Sequence, residues 1–562
     1  MASSRKIATQ WHLTDGVTGS FAVQATEVCA ALLEAGEIRN PDFGLRAREI
    51  EWIANREWTF ETRFEKPETE DERIRLRLEK RFGEICVRLN GGDEILPQGD
   101  MYELTGDVQE GENILTITVL PAPHVNAKTA SVRMGFEGAR LETYNYIRLE
   151  KCSFVSGEAS LQLEAFLSGR YRFVYTVSRE GELIARTEIQ ERLPAARRQI
   201  VHVFDMGEAD GFCDVMFAIE RSGIGCDTVR TTIFAGNEEA RQIVETDCFA
   251  DIWLDLGAQA VSGSFTEREK GEFAKSGLQT VPELEGISYP AMVAPEKLIR
   301  YADGQKYWPQ DCALFRARKT PEIDVEEYRD LFSHSAGEEP ERLARLTRYM
   351  QAEYVRACAQ DAREEEKVFV AAKAAEAEFA YVSDALVESD GYRRPAYWAL
   401  KGVWQNVHAF ARAKSSYQPG ENAILPVVLL RKDSFGSLKV RCVAYDMQGN
   451  VIEQRNIDAR FESEFALTMP EQNGIVLLRI TVEDAYGKIV SRCDRIVCVS
   501  DSKPLEPLWN PERTRISRRD HSIFNEGACI ALAVSTNGYY GALLPGESIP
   551  SEGVFECLNA IL

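Results

Sequence analysis

Along the first 150 residues, apolar and polar positions alternate in short runs broken by Gly, Asn and Asp. Thr59-Phe60-Glu61-Thr62-Arg63-Phe64 places Phe60 and Phe64 on one face of a strand. Ile85 to Leu89, Tyr102 to Thr105 and Ile114 to Val119 repeat the pattern, with Asn90-Gly91 and Gly111-Glu112-Asn113 as turns between them. Val23 to Ala35 has helical spacing instead and stops at Gly36. A second set of alternating runs fills residues 152–235, among them Ser160 to Phe166, Tyr171 to Ser178, Asp214 to Ile219 and Thr228 to Ile233. About seven strands in so short a stretch predict an immunoglobulin-like sandwich.

The period then changes. Val325 to Phe332 and the long Glu339-to-Ala380 stretch, rich in Ala, Glu and Arg, predict helices over residues 236–415. Strands return at Ala423 to Leu430, Leu438 to Tyr445, Phe465 to Met469 and Ile475 to Val482, and Asp446 to Asn450 reads as a turn. These predict a second immunoglobulin-like sandwich. Ala528 to Val534 and the turn-rich Asn537-to-Glu547 run close the chain.

With 562 residues, several domains are expected, because one hydrophobic core seldom grows past about 250–300 residues. A hydrophobic fraction of 44% and a charged fraction of 28% are those of a globular protein. The net charge of −23 argues against nucleic-acid or anionic-membrane partners, which need basic patches. The opening MASSRKIATQWHLTDG lacks the apolar core of a secretory signal, and no apolar run is long enough to span a bilayer. Thirteen cysteines are scattered singly from Cys29 to Cys557, with no C-x-x-C pair and only six histidines. Neither a zinc site nor a disulfide framework follows; reduced thiols and a cytoplasmic location are expected. Nothing calls for a metal or an organic cofactor.

Asn40 to Phe60, NPDFGLRAREIEWIANREWTF, carries a more specific signal. Asn40, Pro41, Phe43, Gly44, Glu49, Trp52, Glu57, Trp58 and Phe60 resemble the D-P-(Y/F)-(Y/F)-G…E…W…(D/E)-W-x-(Y/F) segment of family 2 glycoside hydrolases of the β-mannosidase branch. Asn90-Gly91 and Gly111 to Leu115 match that family's turns, and Leu346 to Tyr354 resembles a late barrel helix. Asp390-Gly391-Tyr392-Arg393-Arg394-Pro395-Ala396-Tyr397-Trp398-Ala399-Leu400-Lys401 resembles its barrel exit, and Asn537 to Glu547 its final sandwich. The resemblance implies a multidomain, mainly β fold. Residues 1–150 would form a jelly-roll sugar-binding-like domain, 151–235 an immunoglobulin-like β-sandwich, and 236–415 a truncated, mostly helical remnant of a TIM barrel. A second immunoglobulin-like sandwich would occupy 416–503, and a partial C-terminal β-sandwich 504–562.

The family's chemistry needs two glutamates at the C-terminal ends of barrel strands. The best match to the nucleophile motif S-E-(F/Y)-G-x-Q-S-x-P is Ala274 to Pro282, where Gly277, Gln279 and Pro282 fall in register but the glutamate position is Lys275. Lysine cannot form a glycosyl ester. Glu272 lies three residues away and would point elsewhere on a strand. The string nearest to the acid/base motif W-x-G-N-N-E is Phe234-Ala235-Gly236-Asn237-Glu238-Glu239, with Asn237 to grip the sugar. A polar turn opening a helix at Glu238 is the plainer explanation, because the string directly follows the immunoglobulin-like domain with no barrel strands before it. The W-D-W-G-P sugar loop has Gly135 and Phe136 in place of its Trp and Asp, and the W-Q-x-N-D-x-W-P loop is missing between Phe379 and Asp390.

Gly236 to Lys401 is also short, roughly 165 residues, against about 250 for a typical eight-stranded barrel. Most of the first six strands would be missing. The expectation is therefore a catalytically inactive homologue that binds a β-mannoside-like carbohydrate or acts as a scaffold. An active exo-acting β-mannosidase using Glu238 and Glu272 is the alternative, and a structural homo-oligomer that needs no sugar is a third reading. Trp52, Trp58, Trp253, Trp308 and Trp398 are the aromatics that could stack on a sugar, each with core packing as the plainer role. Trp398 is carried with Asn237 as a substrate-binding candidate.

Overall fold

The computed structural model describes residues 3–7, 10–41, 46–67, 73–98, 101–121, 134–144, 146–155, 157–179, 181–209, 212–234, 240–246, 250–263, 265, 270, 273–281, 284, 292–293, 331–332, 340–371, 382–383, 385–388, 391–431, 438–458, 463–551 and 554–561. Two five-stranded sheets form the first domain. Trp58–Glu65 shows how alternation builds it: Trp58, Phe60, Thr62 and Phe64 are buried, and Phe60 pairs across to Ile117. Between the sheets, Phe136 meets Trp11 and Phe60 edge-on, with ring centroids 5.2 Å apart in both pairs, a geometry that aromatic quadrupoles favour. The helix α1 runs Val28–Glu34, shorter than its periodicity suggests. Ser20–Val23 is drawn into a strand against Trp11–Thr14, the Glu27 carboxylate caps the helix by accepting from the Cys29 and Ala30 amides, and Gly36 at φ +77° ends it.

The two family-like turns of this domain are halves of one latch. Asn90 Nδ2 donates to Asn113 Oδ1 at 2.9 Å, and the Ile114 amide donates to Asn90 Oδ1 at 2.9 Å. Asn113 in turn donates to the Gln109 and Gly111 carbonyls. Such buried amides fix a loop through satisfied hydrogen bonds, so these motifs report the fold.

The second domain is a seven-stranded sandwich, three strands facing four. Phe154, Phe173, Tyr175 and Phe217 lie in its core. The buried Tyr175 hydroxyl meets His202 Nδ1 at 2.7 Å, and His202 Nε2 lies 3.0 Å from Glu191.

Residues 242–371 are not simply helical. Four short parallel strands, Gln242–Glu245, Ala260–Ser262, Gln279–Val281 and Phe369–Ala371, form one sheet, with the last lying beside the first. Among the described residues, three helices back it: α2 (Ala250–Leu256), α3 (Pro340–Glu364) and α4 (Pro395–Trp404). The strand–helix–strand order with adjacent first and last strands is that of the opening and closing of a β/α barrel. Three parallel strands are described up to Val281, and the fourth follows at Phe369–Ala371. Strands of three or four residues are too short to show an alternation, so their sequences give no strand signal.

The second immunoglobulin-like sandwich pairs a three-stranded with a five-stranded sheet. It starts earlier than residue 416, since Val407–Ala411 pairs with Asn422–Arg431. The C-terminal residues form a four-stranded sheet and the Ala531–Thr536/Tyr539–Leu543 hairpin. Helix α3 joins these units. Its Leu343, Leu346 and Tyr349 pack with Leu477, Ile496, Trp509 and Leu532, while Ala352, Val355 and Ala359 face the parallel sheet. Among the described residues no helix is long and apolar enough to cross a membrane.

Candidate functional site at the end of the parallel sheet

The two faces of the parallel sheet differ. Val244, Val261 and Ala371 share a core with helices α2, α3 and α4. Ile243, Ala260, Val370 and Val281 form a separate small cluster without helix residues. In a barrel this second face is the interior. Side chains alternate along a strand, so Glu245 and Ser262, each two residues beyond a member of that cluster, lie on the same face. Glu245 pairs in register with Ser262, and Ser262 with Val281. The C-terminal edge of the inner face therefore presents Glu245, Ser262 and Val281. That is the end at which barrels keep their chemistry.

Ser262 is fully buried, and its Oγ accepts the Leu284 amide at 2.8 Å. Glu245 is half-buried and has no ion-pair or hydrogen-bond partner among the described residues. It was not among the sequence candidates, because it lies in neither family motif, between Glu238 and Glu272. Its only local signal is its place at the end of Gln242-Ile243-Val244. One carboxylate can exchange a proton or pair with a cation, but it supplies only half of a retaining glycosidase's machinery.

The candidates read from motifs fall elsewhere. Asn237, Glu238 and Glu272 lie outside the described residues. Lys275 does not follow a strand, as a nucleophile position must. Phe273 to Lys275 is helical, the Gly277 and Leu278 amides donate to the Ala274 and Phe273 carbonyls, and Gly277 takes φ +88°. This is a helix end with a left-handed glycine, and only after it does the strand Gln279–Val281 begin. The Gly-x-Gln match to the nucleophile motif is therefore on the wrong side of its strand.

Gly135 and Phe136 sit within the strand Gly135–Tyr144, where Phe136 is fully buried. Gly135, at φ +130°, has no room for a side chain: a Cβ would lie 2.2 Å from the Thr26 carbonyl oxygen. They are core positions of the first sandwich. The span from Phe379 to Asp390, which lacks the second sugar loop, is only partly described.

Trp398 is 5% exposed. Tyr397 meets it edge-on at 4.9 Å, and Arg393 and Lys401 lie over its ring. The ring packs α4 and is not open to a sugar. Trp58 and Trp253 are wholly buried, and Trp52 is half-buried against Trp58 with Arg56 over it; Trp308 lies outside the described residues. The exit motif has a packing role too. The Tyr397 hydroxyl donates to Asp255 Oδ2 at 2.9 Å and Lys401 Nζ to Asp255 Oδ1 at 2.5 Å, which pins α4 to α2. Despite the burial that would raise it, Asp255 stays below its ordinary pKa through these bonds and the Lys401 charge. Arg394, buried, donates to the Ala385 carbonyl. Among the described residues no cluster of His, Cys, Asp and Glu is arranged to hold a metal ion, and the described cysteines are free thiols, buried or half-buried.

Fold and motifs together define a class: a multidomain, mainly β protein with the architecture of family 2 glycoside hydrolases. More narrowly, residues 11–156 match the family described as the glycosyl hydrolase 2 galactose-binding domain-like family. The whole chain is similar in fold to the crystal structure of a beta-D-mannosidase from Dictyoglomus thermophilum, with a TM-score of 0.67, 10% identity and 100% of each chain covered. It is similar also to the exo-chitosanase CsxA of Amycolatopsis orientalis, with a TM-score of 0.66, 11% identity and 97% of this chain against 96% of that one covered. No curated protein matches the sequence. The architecture is thus β-mannosidase-like.

Proposed function

We propose that this protein is a non-hydrolytic relative of the family 2 glycosidases that binds carbohydrate, or organises a partner, through its sandwiches. One observation carries the reading. Among the described residues, the inner edge of the parallel sheet offers a single carboxylate, Glu245, beside Ser262 and Val281. A retaining glycosidase needs two carboxyl groups about 5–5.5 Å apart. The free thiols suit a reducing, cytoplasmic setting.

The test is hydrolysis of aryl β-mannoside, β-glucoside, β-galactoside and β-glucuronide by purified protein, beside Glu238→Gln, Glu245→Gln and Glu272→Gln. The reading expects no turnover above that of the variants, and a saccharide-dependent rise in melting temperature. Turnover abolished by any one substitution would make the protein an active hydrolase and name its carboxylate. No thermal response to any saccharide, with a defined oligomer in solution, would favour the scaffold role alone.

A further inference from the structure

A cleft of about 310 Å³ lies away from the parallel sheet, between the first two turns of α3 and the C-terminal sandwich. Arg342 and Arg345 of α3 line it, as do Trp509, Asn510, Arg513 and Asn559 from the far side. Trp509 is almost wholly buried, packed on Phe332 at 5.3 Å, with the Arg342 guanidinium 5.6 Å from its ring centroid. Asn559 is committed to the fold: it donates to the Glu512 and Ile530 carbonyls and accepts the Leu532 amide. These residues make a fixed floor and wall.

Two of the charges on that wall are left without a partner by the described residues. Arg345 and Arg513 have no side-chain hydrogen bond or ion pair among the described residues. Yet the chain has 89 acidic against 66 basic residues, so partners are in excess. Glu512, adjacent to Arg513, is instead engaged by Gln448. Two guanidinium groups left open in one concavity create a local positive field on an acidic molecule. Each presents a planar fork of donors matched to carboxylate or phosphate oxygens. The volume is at the small end of ligand sites, about 300–1,000 Å³, which suits a small molecule and not a polymer.

The geometry points to this cleft as a binding site for a small organic dianion, a phosphate monoester or a dicarboxylate, held by Arg345 and Arg513. The shared chemistry is two negative charges within reach of two guanidinium forks. The site is separate from Glu245 and does not depend on any hydrolytic activity. It also touches both α3 and the C-terminal sandwich, so an occupant would tie them together and raise the stability of the whole chain.

The test is thermal unfolding of the full chain at constant ionic strength, with inorganic phosphate, mannose 6-phosphate or succinate. Sodium chloride and mannose serve as controls. A saturable rise of about 2–4 °C is expected with an anion that binds and with neither control. A response confined to phosphate and mannose 6-phosphate assigns a phosphate monoester, and one to succinate a dicarboxylate. Arg513→Gln, at an exposed position, and Arg345→Gln should each weaken the apparent affinity at least about tenfold, and Arg345→Lys, which keeps the charge but loses the fork, by less than Arg345→Gln. Unchanged melting temperatures without anion would show that the variants fold. No rise beyond that of sodium chloride, or an equal rise in the Arg345→Gln/Arg513→Gln double variant, would overturn the assignment.

Discussion

Asp494 is the residue whose loss should be felt most widely. Its carboxylate is 2% exposed and lies between two arginines. Arg479 Nε donates to it at 2.9 Å, Arg492 through its Nε at 3.1 Å and a terminal nitrogen at 3.0 Å, and the Ala542 amide at 2.8 Å. Burial alone would raise its pKa; the Arg492 and Arg479 charges and these bonds instead hold it far below the usual carboxylate range. The Ala542 contact brings in the C-terminal hairpin, so the cluster fastens that sandwich to the preceding one. In Asp494→Asn the shape is kept, but two guanidiniums face each other with, among the described residues, Glu547 left to balance them. Breaking a buried ion pair costs about 3–5 kcal/mol. Because Glu547 remains, we expect the lower end, about 3 kcal/mol. At about 2–4 °C per kcal/mol for a unit of 150–250 residues, the melting temperature should fall by roughly 6–12 °C.

The pH dependence gives the sign. A carboxylate with a depressed folded pKa contributes stability that is present above its unfolded value, near 3.9, and is lost as the pH falls through the folded one. Wild type and Asp494→Asn should therefore differ fully at pH 7 and converge in acid. Urea unfolding at both pH values reads this directly. A difference below about 1 kcal/mol at pH 7, or one that does not shrink in acid, would refute the claim that this cluster is a dry, charge-balanced joint.

Trp398→Ala should cost about 3–5 kcal/mol, as for other buried aromatic truncations, in denaturant unfolding, and should leave saccharide binding unaltered in calorimetry. His408, in the strand Val407–Ala411 and buried against α3 with Gln360 Nε2 at 2.8 Å, has its pKa pushed down to about 3 by burial and the Arg356 and Arg363 charges. The unfolded chain takes up a proton there below about 6.5 while the fold does not, so stability should fall as pH drops from 6.5 towards 3. His408→Gln should flatten that slope in pH-dependent melting curves. Gly135→Ala, which drives a Cβ into the Thr26 carbonyl, should destabilise the first sandwich by about 1–3 kcal/mol or more, read as an early melting transition.

The sandwiches were legible because their strands are long and half-buried, and because their turns need particular residues. Asn90 takes φ +53° and Gly91 φ +70°, a conformation that Asn and Gly adopt most readily. The parallel strands were not legible, being only three or four residues long. The Gly277-x-Gln279 match failed for a related reason. Residue identities alone do not say whether a glycine ends a helix before a strand or opens a loop after one. Nor could the Asp494 joint be read from the sequence, since Arg479 meets Asp494 only through strand register, and Glu547 reaches them from another domain. Glu245 was hidden by the same brevity that hid its strand.

The central claim, that the barrel remnant has no working pair of carboxylates, is tested most directly by trapping. A retaining glycosidase nucleophile forms a covalent glycosyl ester with a 2-deoxy-2-fluoro-β-mannosyl fluoride, releasing fluoride, and the ester persists because the fluorine destabilises the oxocarbenium-like transition state of its hydrolysis. The intact mass of the protein should be unchanged after prolonged incubation with this reagent. A gain equal to one 2-deoxy-2-fluoromannosyl group, located on a single glutamate by peptide mapping and absent from its glutamine variant, would contradict the account.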